Sequence, residues 1–169
     1  MQSSTTQATQ EAKPQLKDFL AQLLDDPENQ KLPVIKDVNA ALSLVEQRIK
    51  KKANEHLGFV GDLKDHGELY VKYSDKPEET GFAAGAKYLG EWSKETNKPH
   101  GRGIRIRSSD RIYIQYYNNG DGAPGKYIHI WSSSVIVGEE YLKDGKKWER
   151  YTLYKSDGTT EEREEEIWI

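Results

Sequence analysis

The chain has 169 residues, 35% of them hydrophobic and 31% charged, with a formal net charge of −3. That length allows one domain with an extension, and the modest apolar supply suits a thin sheet better than a thick globular core. The mild negative balance gives no ground for nucleic-acid binding by bulk charge, and the absence of cysteine excludes disulfides, thiolate zinc sites and cysteine nucleophiles.

Residues 1–12 form a polar tail. MQSSTTQATQ has neither a positive side chain nor an apolar core, so it is expected to be neither a secretory signal nor an Arg-rich presequence. Gln2 excludes N-myristoylation. No apolar run approaches the roughly 18–20 residues that a membrane span needs. A cysteine-free chain of this kind fits a reducing, intracellular and cytoplasmic setting.

Residues 13–57 read as a helical extension. Leu16, Phe19, Leu20, Leu23 and Leu24 recur at spacings of three and four, predicting a short helix opened near Pro14 and stopped by Asp25-Asp26-Pro27. A polar connector, ENQKLP, follows. A second helix is predicted from Asp37, as N-cap, to Leu57, with Val38, Leu42, Val45, Ile49 and Leu57 on one face. Arg48, Lys50, Lys51 and Lys52 favour its C-terminal half, as the helix dipole prefers, and Gly58 is its stop. Three placements stay open for these helices: against each other, over an end of the following β region as a cap, or on a partner.

Residues 58–160 read as β structure, and every Trp and Tyr lies at or beyond Tyr70. Ile104 and Ile106 alternate with Arg105 and Arg107, and Ile112 and Ile114 continue the pattern after a turn at Ser108-Ser109-Asp110. Asn118 to Gly122 and Asp157-Gly158 are further turns. Residues 161–169, EEREEEIWI, are an acidic tail or a last strand, with Ile167-Trp168-Ile169 as a strand end or a docking peptide.

Residues 87–103, KYLGEWSKETNKPHGRG, describe a strand, a polar turn and the start of a second strand. Weaker copies begin at Phe59, Tyr113 and Val137, giving spacings of 29, 25 and 24 residues from Phe59 through Tyr88. Such a period implies an array of hairpins. On Tyr88, Gly90, Glu91, Trp92, His100, Gly101 and Gly103 the central unit resembles a MORN repeat. The first unit keeps Phe59, Gly61, Asp62, His66 and Gly67, but has Leu63 in place of Trp and Leu69 in place of the last glycine. The third keeps Tyr113, Tyr117 and Gly125, and the fourth Gly138, Glu139 and Tyr141. The expected fold is mainly β with N-terminal α: an antiparallel β-meander of stacked MORN-like hairpins preceded by two helices. The resemblance implies a scaffold that contacts proteins or membrane lipids, in cytoskeletal, ciliary or membrane-apposed assemblies.

Candidate chemistry is sparse. His66 and His100 hold equivalent places before a turn glycine, where an imidazole that packs on its neighbouring aromatic or bonds a turn carbonyl is favoured over a metal ligand. Glu139-Glu140 point to opposite faces of a strand and cannot cooperate across a cleft. The Gly120–Gly125 run lacks the Lys-Ser/Thr pair of a phosphate loop, and Ser132-Ser133-Ser134 has no nucleophile-elbow context. No catalytic residue, metal ligand or cofactor is assigned. Arg102, Arg105, Arg107 and Arg111 form the one basic cluster of the β region. They either make an anion-binding stripe for phosphoinositide head groups, an acidic protein surface or RNA, or pair across strands with the abundant glutamates. Tyr88, Trp92, Tyr113, Tyr117, Tyr141, Trp148 and Trp168 are the candidate partner contacts, since exposed Tyr and Trp beside Arg are the composition of binding hot spots.

The expected function is a non-catalytic scaffold or accessory subunit making protein–protein contacts in a larger intracellular assembly. The alternative is an anionic-lipid module using the arginine stripe. A small-ligand or enzymatic pocket would need a convergent nucleophile, base or metal set, and none is legible.

Overall fold

A computed structural model describes residues 16–49, 67–82, 85–123 and 125–167. Phe59, Gly61, Asp62 and His66 of the first repeat, the predicted end of the second helix at 50–58, and Trp168 lie outside the described residues.

The chain opens with α1 (Leu16–Asp25), where Phe19, Leu20 and Leu23 are buried. The predicted connector is itself a helical turn, α2 (Pro27–Gln30). Asp26 caps it, accepting a hydrogen bond from the Glu28 N–H at 2.9 Å, while Pro27 supplies the φ that a first helical position needs. The next helix, α3 (Ile35–Ile49), starts two residues earlier than expected, so Asp37 sits in its first turn and not at the N-cap. Its buried stripe is Ile35, Val38, Ala41, Val45 and Ile49.

The strands follow as β1 (Leu69–Ser74), β2 (Lys87–Ser93), β3 (Pro99–Ser108), β4 (Arg111–Asn118), β5 (Asp121–Gly122), β6 (Lys126–Trp131), β7 (Ser134–Lys143), β8 (Lys146–Tyr154) and β9 (Thr160–Glu166). A short α4 (Pro77–Thr80) links β1 to β2. The strands form one sheet in chain order with every pairing antiparallel, and β5 is a small flap on β4. The hairpins therefore lie side by side in a continuous meander and do not stack face on face. The acidic 160–166 stretch is the last strand. Its charges suit an edge that must not recruit a further strand.

Alternation divides the sheet into two faces. Leu89, Ile104, Ile106, Ile112, Ile114, Ile128, Ile130, Val135 and Val137 meet the apolar stripes of α1 and α3 in one core. The helices therefore cover a face of the sheet, a packing within the chain that was not among the three placements left open by the sequence. Arg48 fastens α3 there, its Nη1 donating to the carbonyls of Ser133 (2.6 Å) and Tyr154 (3.1 Å). On the helix-free face a smaller core gathers Phe82, Ala86, Tyr88, Trp92 and Tyr117.

Each residue of the central motif has a structural role. The Tyr88 ring fills the space that a Cβ on Gly103 would need, and its hydroxyl donates to the Glu91 carbonyl at 2.9 Å. Trp92 Nε1 donates to the Lys72 carbonyl on β1 at 2.9 Å. His100 is buried, and its Nδ1 accepts the Asn119 N–H at 3.0 Å, holding the β4–β5 turn. The bond is to a turn N–H and not to the turn carbonyl that the sequence suggested.

Candidate binding face

The chain has seven arginines, and their partners separate them into two groups. Arg102 is locked on the helix-covered face: Nε and Nη2 clasp Glu91 at 2.7 and 2.8 Å, and the Phe19 ring of α1 lies 4.5 Å from its guanidinium carbon. Arg48 bonds carbonyls, Arg150 pairs with Glu139 at 3.0 Å and Arg163 with Glu161 at 2.7 Å. Arg105, Arg107 and Arg111 form no ion pair among the described residues. The cross-strand pairing weighed above thus holds for Arg102, and the other three members of the cluster have no ion pair among the described residues. The Ser108 hydrogen bond lowers the pKa of Asp110, and the neighbouring Arg111 charge helps to lower it.

The fold places these three together. Arg105 stands opposite Tyr113 in the β3–β4 register, and Arg111 opposite Trp131 in the β4–β6 register. Arg107 is exposed at a bulge between Ile106 and Ser108. The Arg111 guanidinium rests 4.8 Å from the centre of the Trp131 ring, and Trp131 is 45% exposed. Two hairpin tips meet beside them, tied by a hydrogen bond from the Ser132 N–H to the Asp110 carbonyl at 2.8 Å. The outcome is a basic rim with an aromatic at its centre.

The aromatic candidates behave differently. Tyr88, Trp92 and Tyr117 are 0–2% exposed and serve as core, so the partner-contact reading is corrected for them. Their rings interlock edge to face at 5.2–5.6 Å. Tyr113 is half-buried, with its ring edge-on to His129 at 4.5 Å. Tyr141 and Trp148 are cross-strand partners on β7 and β8, each under a cation, Arg150 at 4.7 Å and Lys143 at 5.0 Å. Trp131, which the sequence reading passed over, is the large exposed aromatic of the group. Its place in KYIHIW, alternating with Ile128 and Ile130, was the signal that could have found it.

Beyond the rim, the helix-free face carries a polar row. The His129 ring lies between Tyr113 and Tyr127, and its Nε2 shares a hydrogen bond with Gln115 Oε1 at 2.8 Å. Burial, with the nearby charge of Arg105, depresses its pKa to about 3, so it is neutral. Tyr127 donates to Glu149 Oε2 at 3.0 Å. Glu149 directly faces Glu140 on β7 and Glu165 on β9, and burial together with these like charges raises its pKa. A cavity of about 270 Å³ opens here, lined by Tyr127, His129, Trp131, Ile136, Glu149 and Leu153 among others. A larger groove of about 550 Å³ lies on the opposite face, where Glu139 and Arg150 already neutralise each other.

Among the described residues no group of three or more His, Asp or Glu is placed to hold a metal ion, and no helix is long and apolar enough to cross a membrane. No protein-family model, curated protein or solved structure matches the chain.

Proposed function

We propose that the chain is a non-catalytic accessory subunit that docks an acidic segment of a partner protein on the rim formed by Arg107, Arg111 and Trp131. One observation carries this reading. Four of the seven arginines are bonded within the protein, while the three with neither an ion pair nor a side-chain hydrogen bond among the described residues lie on the β3–β4 hairpin beside an exposed Trp. Arg and Trp are the residue types that dominate binding hot spots, and unpaired cations steer acidic partners. The MORN resemblance of the central hairpin supports a scaffold role in an intracellular assembly. The test is affinity capture with the tagged full-length chain beside the double variant Arg107→Glu, Arg111→Glu. Partners recovered in fixed proportion with the first bait and lost with the second are the expected result. Partners held equally by both baits would overturn the docking site.

A second reading is favoured by the exposed Trp131 at a hairpin tip next to Arg111: contact with anionic lipid head groups. A patch this small does not hold a membrane alone and would act beside a partner. Salt-sensitive flotation with phosphatidylserine vesicles, lost in the same double variant, is its signature.

A further inference from the structure

Two buried polar groups on the helix-free face have no hydrogen-bond partner: the Nε of Arg105 and the hydroxyl of Tyr117. Buried donors are almost always satisfied, so two orphans on one face call for an occupant. They share a neighbour. The Phe82 ring lies 4.6 Å from the Arg105 guanidinium carbon and 5.8 Å from the Tyr117 ring. Tyr113 flanks the guanidinium on another side at 5.7 Å. Phe82 is itself fixed, because its N–H donates to Thr80 Oγ1 at 3.1 Å and Gly81 turns the chain with φ +76°.

We propose that Arg105 and Tyr117, framed by Phe82 and Tyr113, form a binding site for a single oxyanion, a carboxylate or a phosphate group. Four features carry it. The guanidinium plane is held by rings and makes no hydrogen bond to any described residue, so its fork is oriented before a ligand arrives and little ordering cost remains. No carboxylate of the described residues neutralises it. Arg105 keeps part of its surface exposed, whereas Tyr117 is 2% exposed, so the guanidinium is the solvent-facing member of the pair. Glu149, on the same face, is engaged by Tyr127 and does not compete. Planar guanidinium recognises carboxylate or phosphate through paired donors, and the phenol O–H adds a donor of matching character.

The site belongs to the same face as the docking rim, and it deepens that reading by naming the group that would be captured. Its test uses no partner, so the two can fail separately. The full-length chain is titrated with sodium acetate and, separately, with inorganic phosphate at constant ionic strength. Melting temperature and the Arg105 Nε–H resonance are followed together. The expected result is a saturable rise in Tm with a matching shift of that resonance. Arg105→Gln should weaken apparent affinity at least about tenfold, as loss of a charge-assisted hydrogen bond would. Tyr117→Phe, which keeps the buried ring and so the fold, should weaken it several-fold, while Lys146→Gln, remote on β8, leaves it unchanged. Stronger binding of phosphate points to a phosphoryl ligand, and stronger binding of acetate to a carboxylate. An unsaturable Tm response shared by wild type and Tyr117→Phe, with the Arg105 resonance unmoved, would overturn the site.

Discussion

Tyr127 lies against its direct cross-strand partner Gly138, where a Cβ would stand 2.6 Å from the Tyr127 hydroxyl and 2.7 Å from Tyr151 Cβ. The same device operates at Tyr88 and Gly103 in the central hairpin. In both places an aromatic ring uses the room left by a missing side chain on the neighbouring strand. The strand pair at β6–β7 is therefore built on the same aromatic-over-glycine contact as the motif-rich pair at β2–β3.

Gly138→Ala should be destabilising although Ala is a small residue. The Tyr127 ring cannot retreat freely, because its hydroxyl is bonded to Glu149, and Tyr151 Cβ is fixed by its backbone. Overpacking of this kind costs roughly 2–3 kcal/mol, a Tm fall of about 5–10 °C. Gly103→Ala should behave alike, and the neighbouring open turn glycine Gly145, with nothing near its Cβ, makes a control for backbone strain without crowding. Thermal melts of the variants decide it; an unchanged Tm for Gly138→Ala would show that the ring yields.

Glu91 and Arg102 form a nearly buried pair, each side chain 11% exposed, beneath Phe19. Glu91→Ala strands the guanidinium and also removes the acceptor of the Arg102 N–H at 2.9 Å. A loss of roughly 3–5 kcal/mol is expected in chemical denaturation. Glu91→Leu with Arg102→Met should recover most of it, since the cost lies in the unpaired charge.

His129 ties stability to acid. Its folded pKa lies below the unfolded value, so the stabilisation is complete above about pH 6.5 and is lost as pH falls toward 3. Arg105, Gln115, Tyr113 and Tyr127 touch or act on it, and of the carboxylates that line the same cavity, Glu149 is bonded by Tyr127 and neither Glu149 nor Glu165 pairs with the imidazole. The loss should reach on the order of 2–4 kcal/mol after screening at its partly exposed edge. His129→Gln should flatten the melting profile between pH 6.5 and 4, and an unaltered profile would contradict the assignment.

Glu149 works in the opposite direction. Its folded pKa is raised, so the native state holds the proton more tightly. That contribution is present below the unfolded carboxylate value and disappears as pH rises through the folded one. Facing Glu140 and Glu165 across both neighbouring strands, it is strained at neutral pH, with Lys147 a partial counterweight near Glu140. Glu149→Gln keeps an acceptor for Tyr127 and should raise Tm by about 2–3 °C at pH 7. The gain should shrink in high salt and vanish near pH 4.

Ser132 and Ser133 form the β6–β7 turn with φ of 48° and 66°, a conformation that Asn-Gly adopts with less strain. Replacing the pair by Asn-Gly should add roughly 0.5–1 kcal/mol, while the Ser133 carbonyl that receives Arg48 is retained. A rise in Tm of about 2–4 °C is expected; a fall would mean that the serine side chains contribute contacts of their own.

Much of the architecture is written in local pattern. The alternation of Ile104, Ile106, Ile112 and Ile114 with Arg105, Arg107 and Tyr113 marks two strand faces, and Phe19, Leu20, Leu23, Val38 and Val45 mark two helix stripes. The turns at Asn119-Gly120 and Asp157-Gly158 follow from residues that tolerate positive φ or bond their own backbone. These features depend on neighbours within a few positions, so one sequence suffices to read them.

What tertiary structure decided was which groups meet. Arg102 and Arg105 sit three residues apart in one basic cluster, yet one is clasped by Glu91 under a helix and the other has no ion pair on the opposite face. Tyr113 and Tyr117 share a strand face, yet Phe82, arriving from α4, seals only Tyr117. Strand period assigns a side chain to a face, but its cover and its counter-charge come from register and from elements distant in sequence. The amino-acid sequence by itself therefore determined the meander, the helices and the aromatic-glycine hairpin. The fold alone determined that the helices cover one face and that Arg105, Arg107 and Arg111 of the β3–β4 hairpin form no ion pair among the described residues while Trp131 is brought beside them, because burial and ion pairing are properties of long-range contacts.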